Sequence, residues 1–314
     1  MKINIVIIGL GNIGKRHLQA VSRLSYCSEI LGYVLNLEDK KVIAEFCQKN
    51  NISTENLRLV TNFDDTLKAI TERTIVIVST TAKGRVKIIE QVLKHRPLAI
   101  IAEKPLCQNP SEYEHLINLV KEYNIPIYGN FPKHMYPVYQ KINHLLKAGS
   151  ITSFNAITWG GMACAGIHAL ELMTWLLAVK DYKILKAVCH KEFASKRDGF
   201  MDFAADLVLE VNGGIVCSLS ASEDKKLEIY DIASEEKKYS VCESSGKILE
   251  VNNNAEFLVS DLEILHVSQI TDQIVDDIVK GGKVRLPDVY ESYTAHKILF
   301  ECMKLCNLER LNIT

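Results

Sequence analysis

The sequence predicts an α/β fold. The N-terminal part reads as a doubly wound parallel sheet. After it comes a second α/β domain with an open, mostly antiparallel sheet. Three observations carry this. Strand-like and helix-like segments alternate through the first ~130 residues, the rhythm of βαβ units. Ile75–Ser79 is nearly all apolar, as a strand buried on both faces is. Further on the rhythm changes to long alternating segments, two of them joined by Asn212-Gly213-Gly214, a hairpin turn. A length of 314 residues suggests two domains, placed at 1–128 and 129–314.

Each element follows from its own pattern. Ile3–Ile8 is a β-branched strand, and Ile13–Leu24 is the helix after it. Ile30–Leu35 with Lys40–Asn50, Leu57–Val60 with Asp64–Ile70, and Ile75–Ser79 with Val86–Lys94 are the next strand–helix pairs. Ala99–Ala102 precedes a helix over Pro110–Tyr123, with Ser111 ahead of Glu112 and Glu114 at its start. Pro126–Tyr128 is the last strand of this part. Tyr136–Lys147 is helical and ends at Gly149, Ile151–Thr158 is a strand, and Gly166–Ala178 is apolar at helical spacing. Strands are expected over Lys183–Glu192, Phe203–Val211, Ile215–Ser220, Lys226–Ala233, Lys237–Glu243 and Lys247–Val251, with a turn at Asn252-Asn253-Asn254. Val267–Val279 and Pro287–Leu305 are closing helices separated by Gly281-Gly282. Tyr290 and Tyr293 are expected to pack the last of them on the first domain.

Hydrophobic residues make up 47% of the chain and charged residues 24%, the composition of an ordinary globular protein with a sizeable core. The net charge of -1 argues against nucleic acid or an anionic membrane surface as a partner. No apolar run approaches the ~20 residues that span a bilayer. The opening residues enter a strand directly, with no secretory signal pattern. The nine cysteines are scattered, without a C-x-x-C pair or a metal-ligand spacing. They read as small buried hydrophobes in a reducing compartment, so no metal is expected and the cytoplasm is the expected location.

The chemistry begins at Gly9-Leu10-Gly11-Asn12-Ile13-Gly14, a G-x-G-x-x-G placed directly after a strand and at a helix start. Gly9 permits the tight turn, Gly11 lets backbone approach a pyrophosphate, and Gly14 lets the helix pack closely on the strand. The free amides opening the helix, those of Asn12 and Ile13 among them, then face the phosphates together with the positive end of the helix dipole. A dinucleotide is therefore the expected ligand. About 20 residues on, the position that holds the adenosine ribose falls at Asn36, followed by Leu37, Glu38 and Asp39. Asparagine bonds a hydroxyl without repelling a 2′-phosphate, and no Arg follows, though Lys40 and Lys41 are near. NAD and NADP both stay open, with NAD favoured; an unengaged turn asparagine is the alternative. Ser79-Thr80-Thr81 ends the buried strand, where its hydroxyls either line the nicotinamide side or cap the next helix. Glu103-Lys104-Pro105 ends the following strand, with Pro105 biasing Lys104 to an extended backbone. A lysine there can donate to a substrate oxygen and stabilise charge developing on it; a surface ion pair is the plain alternative.

The glycine motif, Glu103-Lys104-Pro105-Leu106 and Gly166-Ile167-His168-Ala169-Leu170-Glu171 together resemble the glucose–fructose oxidoreductase/inositol dehydrogenase/rhizopine catabolism (Gfo/Idh/MocA) family. The order and spacing agree, and the tail from Val275 to Gly282, followed by a helix from Pro287, is similar to the family's last two helices. The resemblance implies an N-terminal Rossmann domain with NAD or NADP, and a C-terminal domain whose open sheet builds homodimers or homotetramers. It also implies hydride transfer at a carbinol or ketone carbon of a sugar, nucleotide sugar or cyclic polyol. Lys104 falls on the family's E-K-P lysine and His168 on the histidine of its G-x-H-x-x-D, which makes both catalytic and substrate-binding candidates. Glu103 and Lys104 also join the expected cofactor contacts. A histidine suits the proton of the reacting hydroxyl, and Lys104 suits its oxygen. The expectation is that these two side chains meet over the reactive ring of the dinucleotide.

Departures from the family pattern are specific. Cys164 stands where the family often has Asp, Glu171 stands for the Asp after the histidine, and Thr81 and Arg85 stand for the usual Pro and His after the fourth strand. Cys164, Lys133 and Trp159 are further substrate-binding candidates. Lys133 and His134 lie in the segment where the family places substrate contacts. Trp159, ahead of Gly160 and Gly161, either stacks on a sugar or sits in the core. Two other readings are kept: a dinucleotide-binding regulatory protein without turnover, and an enzyme that uses the nicotinamide transiently while cleaving a bond elsewhere.

Overall fold

The computed structural model describes residues 2–224, 226–252, 255–261 and 263–313. The chain runs β1 (Ile3–Ile8), α1 (Asn12–Val21), β2 (Cys27–Tyr33), α2 (Leu37–Lys49), β3 (Leu57–Val60), α3 (Phe63–Lys68), β4 (Thr74–Val78), α4 (Arg85–Leu93), β5 (Ala99–Ala102), α5 (Pro110–Tyr123) and β6 (Ile127–Gly129). It continues with α6 (Pro137–Ser150), β7 (Ile151–Trp159), α7 (Ile167–Leu176), β8 (Tyr182–Ala194), β9 (Met201–Val211), β10 (Ile215–Ser222), β11 (Ile229–Ser234), β12 (Lys238–Cys242), β13 (Lys247–Asn252), β14 (Ala255–Asp261), α8 (Val267–Lys280) and α9 (Tyr293–Leu305).

The strands form two sheets, one in each of two compact units. In the first unit all six strands are parallel, in the order β3-β2-β1-β4-β5-β6. The order reverses between β1 and β4, the switch point at which doubly wound sheets bind ligands beyond the carboxyl ends of their strands. Burial explains the strands' composition. Every residue of β4 and β5 is buried, and Ile5, Ile7 and Ile8 of β1 are fully so, each burial worth roughly 1.5–3 kcal/mol. In the second unit eight strands follow the order β14-β13-β12-β11-β7-β10-β9-β8; β7 and β10 pair in parallel and the other neighbours are antiparallel. Asn212, Gly213 and Gly214 all have positive φ, which lets them close the β9–β10 hairpin in three residues.

The units differ from the expected boundary at 128/129. The first comprises residues up to 107, 111–132 and 265–290; the second comprises 108–110, 133–264 and 291 onward. The segment that returns to the first domain is α8 rather than the last helix. α1 packs on α8, and just past the end of α1 Arg23 pairs with Asp272 and the Tyr26 hydroxyl donates to Asp276. The last helix, α9, packs on α7 and β8 within the second unit. Tyr290 ends the first unit, half-exposed, while Tyr293 opens α9 in the second. Nor does α9 begin at Pro287. Residues 287–289 instead extend the sheet edge: Gly129 N–H donates to Pro287 O at 2.9 Å and Val289 N–H to Ile127 O at 3.1 Å. A proline without an N–H can serve there as acceptor, and the edge of β6 is satisfied. The strand β14 has no counterpart in the sequence reading. Of the expected turn at Asn252-Asn253-Asn254, residues 253 and 254 lie outside the described residues.

Candidate functional site

In the first unit, the turn after β1 has the geometry its glycines imply. Gly9 has φ +97, a left-handed conformation that side chains rarely adopt. A Cβ at Gly14 would lie 2.1 Å from Gly9 O and 2.8 Å from Ser79 Oγ, so only glycine allows helix and turn to meet. At Gly11 a Cβ would meet nothing within 4 Å, so that flank is open. Gly11 is the N-cap of α1 and offers no side-chain cap, and no acidic residue occupies the first turn. As the first residues of α1, Asn12 and Ile13 have amides without an intrahelical acceptor. An open backbone cradle with an uncompensated helix N-terminus fits a dinucleotide pyrophosphate.

The neighbouring candidates take definite positions. Ser79 neither caps a helix nor stands apart: its hydroxyl donates to Gly9 O at 2.6 Å and so pins the glycine turn to the end of β4. The Thr80 hydroxyl donates to Thr81 O, and α4 starts beyond both, after Gly84, with no side-chain cap. The side-chain oxygen of Asn36 accepts from Asp39 N–H at 2.9 Å, making Asn36 the N-cap of α2; only its amide NH2 is left to donate to a ribose.

Arg85, which the sequence reading noted only as a departure from the family, is fully buried at the start of α4. Its guanidinium donates to the carbonyls of Thr80, Glu103 and Pro105. It therefore clamps the loops that leave β4 and β5, one of which carries Lys104. Lys104 itself is partly exposed, and its peptide bond to Pro105 is cis. Beside it, Glu103 is not a surface residue but is 6% exposed. Glu103 Oε1 accepts from Asn130 Nδ2 at 2.5 Å and faces His17 Nε2 at 3.2 Å; His17 Nδ1 lies 2.9 Å from Thr271 Oγ1. Burial would raise the Glu103 carboxyl, but the His17 contact, the Asn130 amide and the Lys104 charge hold it down at about 2. The reading of an isolated surface ion pair is thereby replaced by a buried network. His17 and Asn130 Oδ1, a buried acceptor with no partner among the described residues, were not singled out from sequence. The one available signal was a polar residue on the buried face of α1.

In the second unit, His168 is the second residue of α7 and partly exposed. A π-helical turn, Met162–Gly166, leads into it. This turn is held from β9: Asp202, buried, accepts from Ala163 N–H and Cys164 N–H at 3.0 Å each. A Cβ at Gly161 would sit 1.9 Å from the Asp202 carboxyl carbon, so Gly161 makes room for that carboxylate rather than for a ligand. Cys164 is exposed. A carboxylate does reach residue 164, but it comes from β9 and bonds the backbone.

Other candidates in this unit are engaged internally. Lys133 is buried; its ammonium lies 2.7 Å from both oxygens of Glu243 and 3.0 Å from Glu228, with the Tyr230 ring centroid at 4.5 Å. Tyr139 donates to Glu243 at 2.5 Å and Tyr230 to Glu228 at 2.8 Å. The Lys133 ammonium is thus committed to a buried ionic cluster rather than held out toward a phosphate or hydroxyl. His134 is also buried, 2.8 Å from Glu171 and stacked on Trp175. Trp159 is 44% exposed and not a core residue; its indole donates to Glu223 O, and Lys196 lies 5.3 Å from its ring. Lys104 belongs to the first unit and His168 to the second.

Comparison with known proteins agrees with this geometry. Residues 3–130 match the family described as "Oxidoreductase family, NAD-binding Rossmann fold", GFO_IDH_MocA. Comparison with curated proteins gives no match. Among solved structures, the UDP-N-acetylglucosamine 3-dehydrogenase GnnA from Acidithiobacillus ferrooxidans is similar with a TM-score of 0.74 and 15% identity, over 98% of either chain. An oxidoreductase from Agrobacterium radiobacter, in complex with NAD+, L-tartaric acid and magnesium, has a TM-score of 0.75 at 13% identity, over 95% of this chain and 94% of that one. Biliverdin reductase from Synechocystis sp. PCC 6803, in complex with biliverdin and NADP+, has a TM-score of 0.75 at 14% identity, over 97% of this chain and 99% of that one. At these identities the structures speak for the fold. The fold and the glycine cradle define a Rossmann-type dinucleotide-binding protein. Over residues 3–130 the chain is similar to the NAD-binding Rossmann domain of the Gfo/Idh/MocA oxidoreductases. Among the described residues, no helix is long and apolar enough to cross a membrane.

Proposed function

We propose that this oxidoreductase interconverts a carbinol and a ketone on a sugar, nucleotide sugar or cyclic polyol, with Lys104 and His168 as its catalytic residues. The observation that carries the reading is the place of Lys104. It follows β5 at the carboxyl edge of the parallel sheet, the edge that also carries the glycine turn, on a loop that Arg85 clamps. The bound nicotinamide supplies or takes the hydride. The Lys104 ammonium donates to the reacting oxygen and stabilises charge that develops there, and His168 exchanges the hydroxyl proton. Gly9, Gly11, Gly14 and the amides of Asn12 and Ile13 hold the pyrophosphate. NAD is the favoured cofactor, because Glu38 and Asp39 occupy the first turn of α2 beside Asn36 and no Arg is there to receive a 2′-phosphate. The UDP-N-acetylglucosamine specificity of GnnA makes nucleotide sugars the first substrates to try. A cytoplasmic homodimer or homotetramer belongs to the same proposal; the outer face of the second sheet, where Ile157, Trp159 and Val216 are exposed, is the surface that would join the copies.

The test is Lys104→Met against a panel of sugars, nucleotide sugars and cyclic polyols. Turnover is expected to fall by a factor of about 10²–10⁴ while NADH binding, read by fluorescence, stays within about threefold. Retained turnover rejects the role of Lys104. The exposed cysteine at 164 favours one second reading, a dinucleotide-binding protein without turnover. Tight NADH binding with no turnover on the whole panel selects it, and product formed without net change in nicotinamide absorbance selects transient use of the cofactor.

A further inference from the structure

We propose that Arg85 is the positioning residue that ties Lys104 to the phosphate cradle. One buried guanidinium joins the loop that backs the glycine turn to the loop that carries the lysine, so a dinucleotide seated on the first steadies the second. The proposal rests on the reading of Lys104 as the group at the reacting oxygen.

The hydrogen-bond directions at Arg85 are fixed by chemistry alone. A guanidinium carries only N–H donors and cannot be deprotonated in a protein, and a peptide carbonyl can only accept. The carbonyls of Thr80, Glu103 and Pro105 therefore all receive from Arg85. The arginine is fully buried, and the helix it opens is anchored by Val86, Ile89, Val92 and Leu93, all buried. A buried charge is costly unless it is hydrogen-bonded, and these carbonyls meet that need.

The place of those carbonyls gives the clamp its role. β4 and β5 pair as far as Val78 and Ala102, and Glu103 N–H adds a bond to Val78 O at 3.0 Å. Past that point both segments leave the sheet. The guanidinium continues the connection, from Thr80 on one side to Glu103 and Pro105, the two neighbours of Lys104, on the other. The β4 loop is in turn fastened to the cradle. Ser79 N–H donates to Ile8 O at 2.9 Å, and the Ser79 hydroxyl donates to Gly9 O at 2.6 Å. A Cβ at Gly9 would lie 3.1 Å from Thr80 N, so the glycine turn and the loop touch. Gly9, Ser79, Thr80, Arg85 and the residues flanking Lys104 thus form one line of contacts within the first unit. Ordering one end of such a line makes the other end harder to open. A lysine at 85 cannot replace the clamp, because one ammonium on a flexible stem lacks the planar fork that spans several carbonyls. An Arg85 that merely stabilised the fold would pass nothing from the cradle to residues 104–107.

The first measurement needs no substrate. ADP carries adenosine and a pyrophosphate but neither the second ribose nor the nicotinamide, so it fills the cradle without a group to touch Lys104. With ADP at saturation, amide hydrogen exchange of the parent protein is expected to slow by about fivefold or more at Lys104, Leu106 and Cys107 as well as at residues 9–14. In Arg85→Lys the slowing is expected at 9–14 alone, with ADP affinity changed less than about threefold. No slowing at 104–107 in the parent, or equal slowing there in parent and variant, overturns the proposal; the parent result stands even where a variant fails to fold. The second measurement is Arg85→Ala, whose emptied space admits a free guanidinium ion. With any substrate the panel yields, kcat is expected to fall about tenfold or more while NADH affinity stays within about threefold. Guanidinium chloride at about 10 mM should recover about a third of the lost kcat, where equal sodium chloride recovers none. NADH affinity that falls in step with kcat, or no recovery with guanidinium, overturns the positioning role. Retained turnover in Lys104→Met overturns the reading of Lys104 instead, and exchange in the substrate-free protein is read independently of that result.

Discussion

Glu103 in the first unit and Glu243 in the second are both buried glutamates beside a cation, yet their carboxyl groups move in opposite directions. Glu103 has an imidazole and an amide aimed at one oxygen, and the balance against burial falls to about 2. Glu243 lies closer to its cation, 2.7 Å from Lys133, but shares it with Glu228. Burial and the Glu228 charge raise Glu243 despite the lysine and the Tyr139 hydroxyl, while Lys133 and Tyr230 hold Glu228 down against its own burial. Proximity to a cation thus does not set the charge of a buried acid. What differs is the neighbouring charge: Glu243 faces a second carboxylate, Glu228, which adds to its burial, and Glu103 has a histidine, an amide and a lysine beside it. The first unit's cluster keeps its charge and adjoins the proposed catalytic lysine. In the second unit's cluster the two acids are pushed apart, Glu243 up and Glu228 down.

This contrast can be broken or sharpened by substitution. The largest effect is expected from Lys133→Met, which leaves Glu228 and Glu243 facing each other without their ammonium. Denaturant unfolding should show a loss of about 3–5 kcal/mol, since an uncompensated buried charge remains. A loss near zero would mean that the two acids relax by taking up protons. Next is Glu103→Gln, expected to cost about 1.5–3 kcal/mol at pH 7 as a charge-assisted network becomes neutral. Its sign with pH is fixed. The Glu103 carboxyl is held below its ordinary value of 4.5, so its stabilisation is complete above that pH and is lost as pH falls towards 2. The gap between parent and variant should close over that window; a gap independent of pH would contradict the network. Glu243→Gln is expected to change stability least, by less than about 1 kcal/mol at neutral pH, because the glutamine keeps the shape and removes a charge that burial disfavours. A raised carboxyl stabilises the fold below its ordinary value and loses that contribution as pH rises through the raised one. The variant should therefore gain on the parent towards alkaline pH. A cost as large as that of Glu103→Gln would erase the contrast.

Much of the frame was legible in sequence. The bounds of β1, β3, β5 and α5 are those that apolar runs and helix-start residues mark, and the G-x-G-x-x-G turn has the φ, the close approach and the open flank its spacing implies. The elements that were missed are those whose signal is not periodic. Residues 287–289 read as helix because Pro287 is a good helix opener, but two hydrogen bonds to β6 claim them first. The site was legible in part. Lys104 and the glycines stood out through their place after strands. His17 did not, because a histidine in a helix has no local mark of what it will meet, and Asp202 did not, because its partners are backbone amides 38 and 39 positions earlier. Lys133 drew attention as a ligand-binding cation for its charge alone, and its burial was invisible.

The sequence by itself determined the doubly wound parallel sheet, the phosphate cradle and the position of a lysine at the end of a strand. These depend on residue order over a few positions: a strand's period, a glycine's freedom, a helix's first turn. The tertiary structure alone decided that α8 returns to α1, that Arg85 clamps two loops, and in which direction each buried acid shifts. Those outcomes depend on partners far apart in the chain, His17 and Glu103 separated by 86 positions and His17 and Thr271 by 254. The free energy of a buried charge is set by what surrounds it in space, and only the folded chain supplies those neighbours.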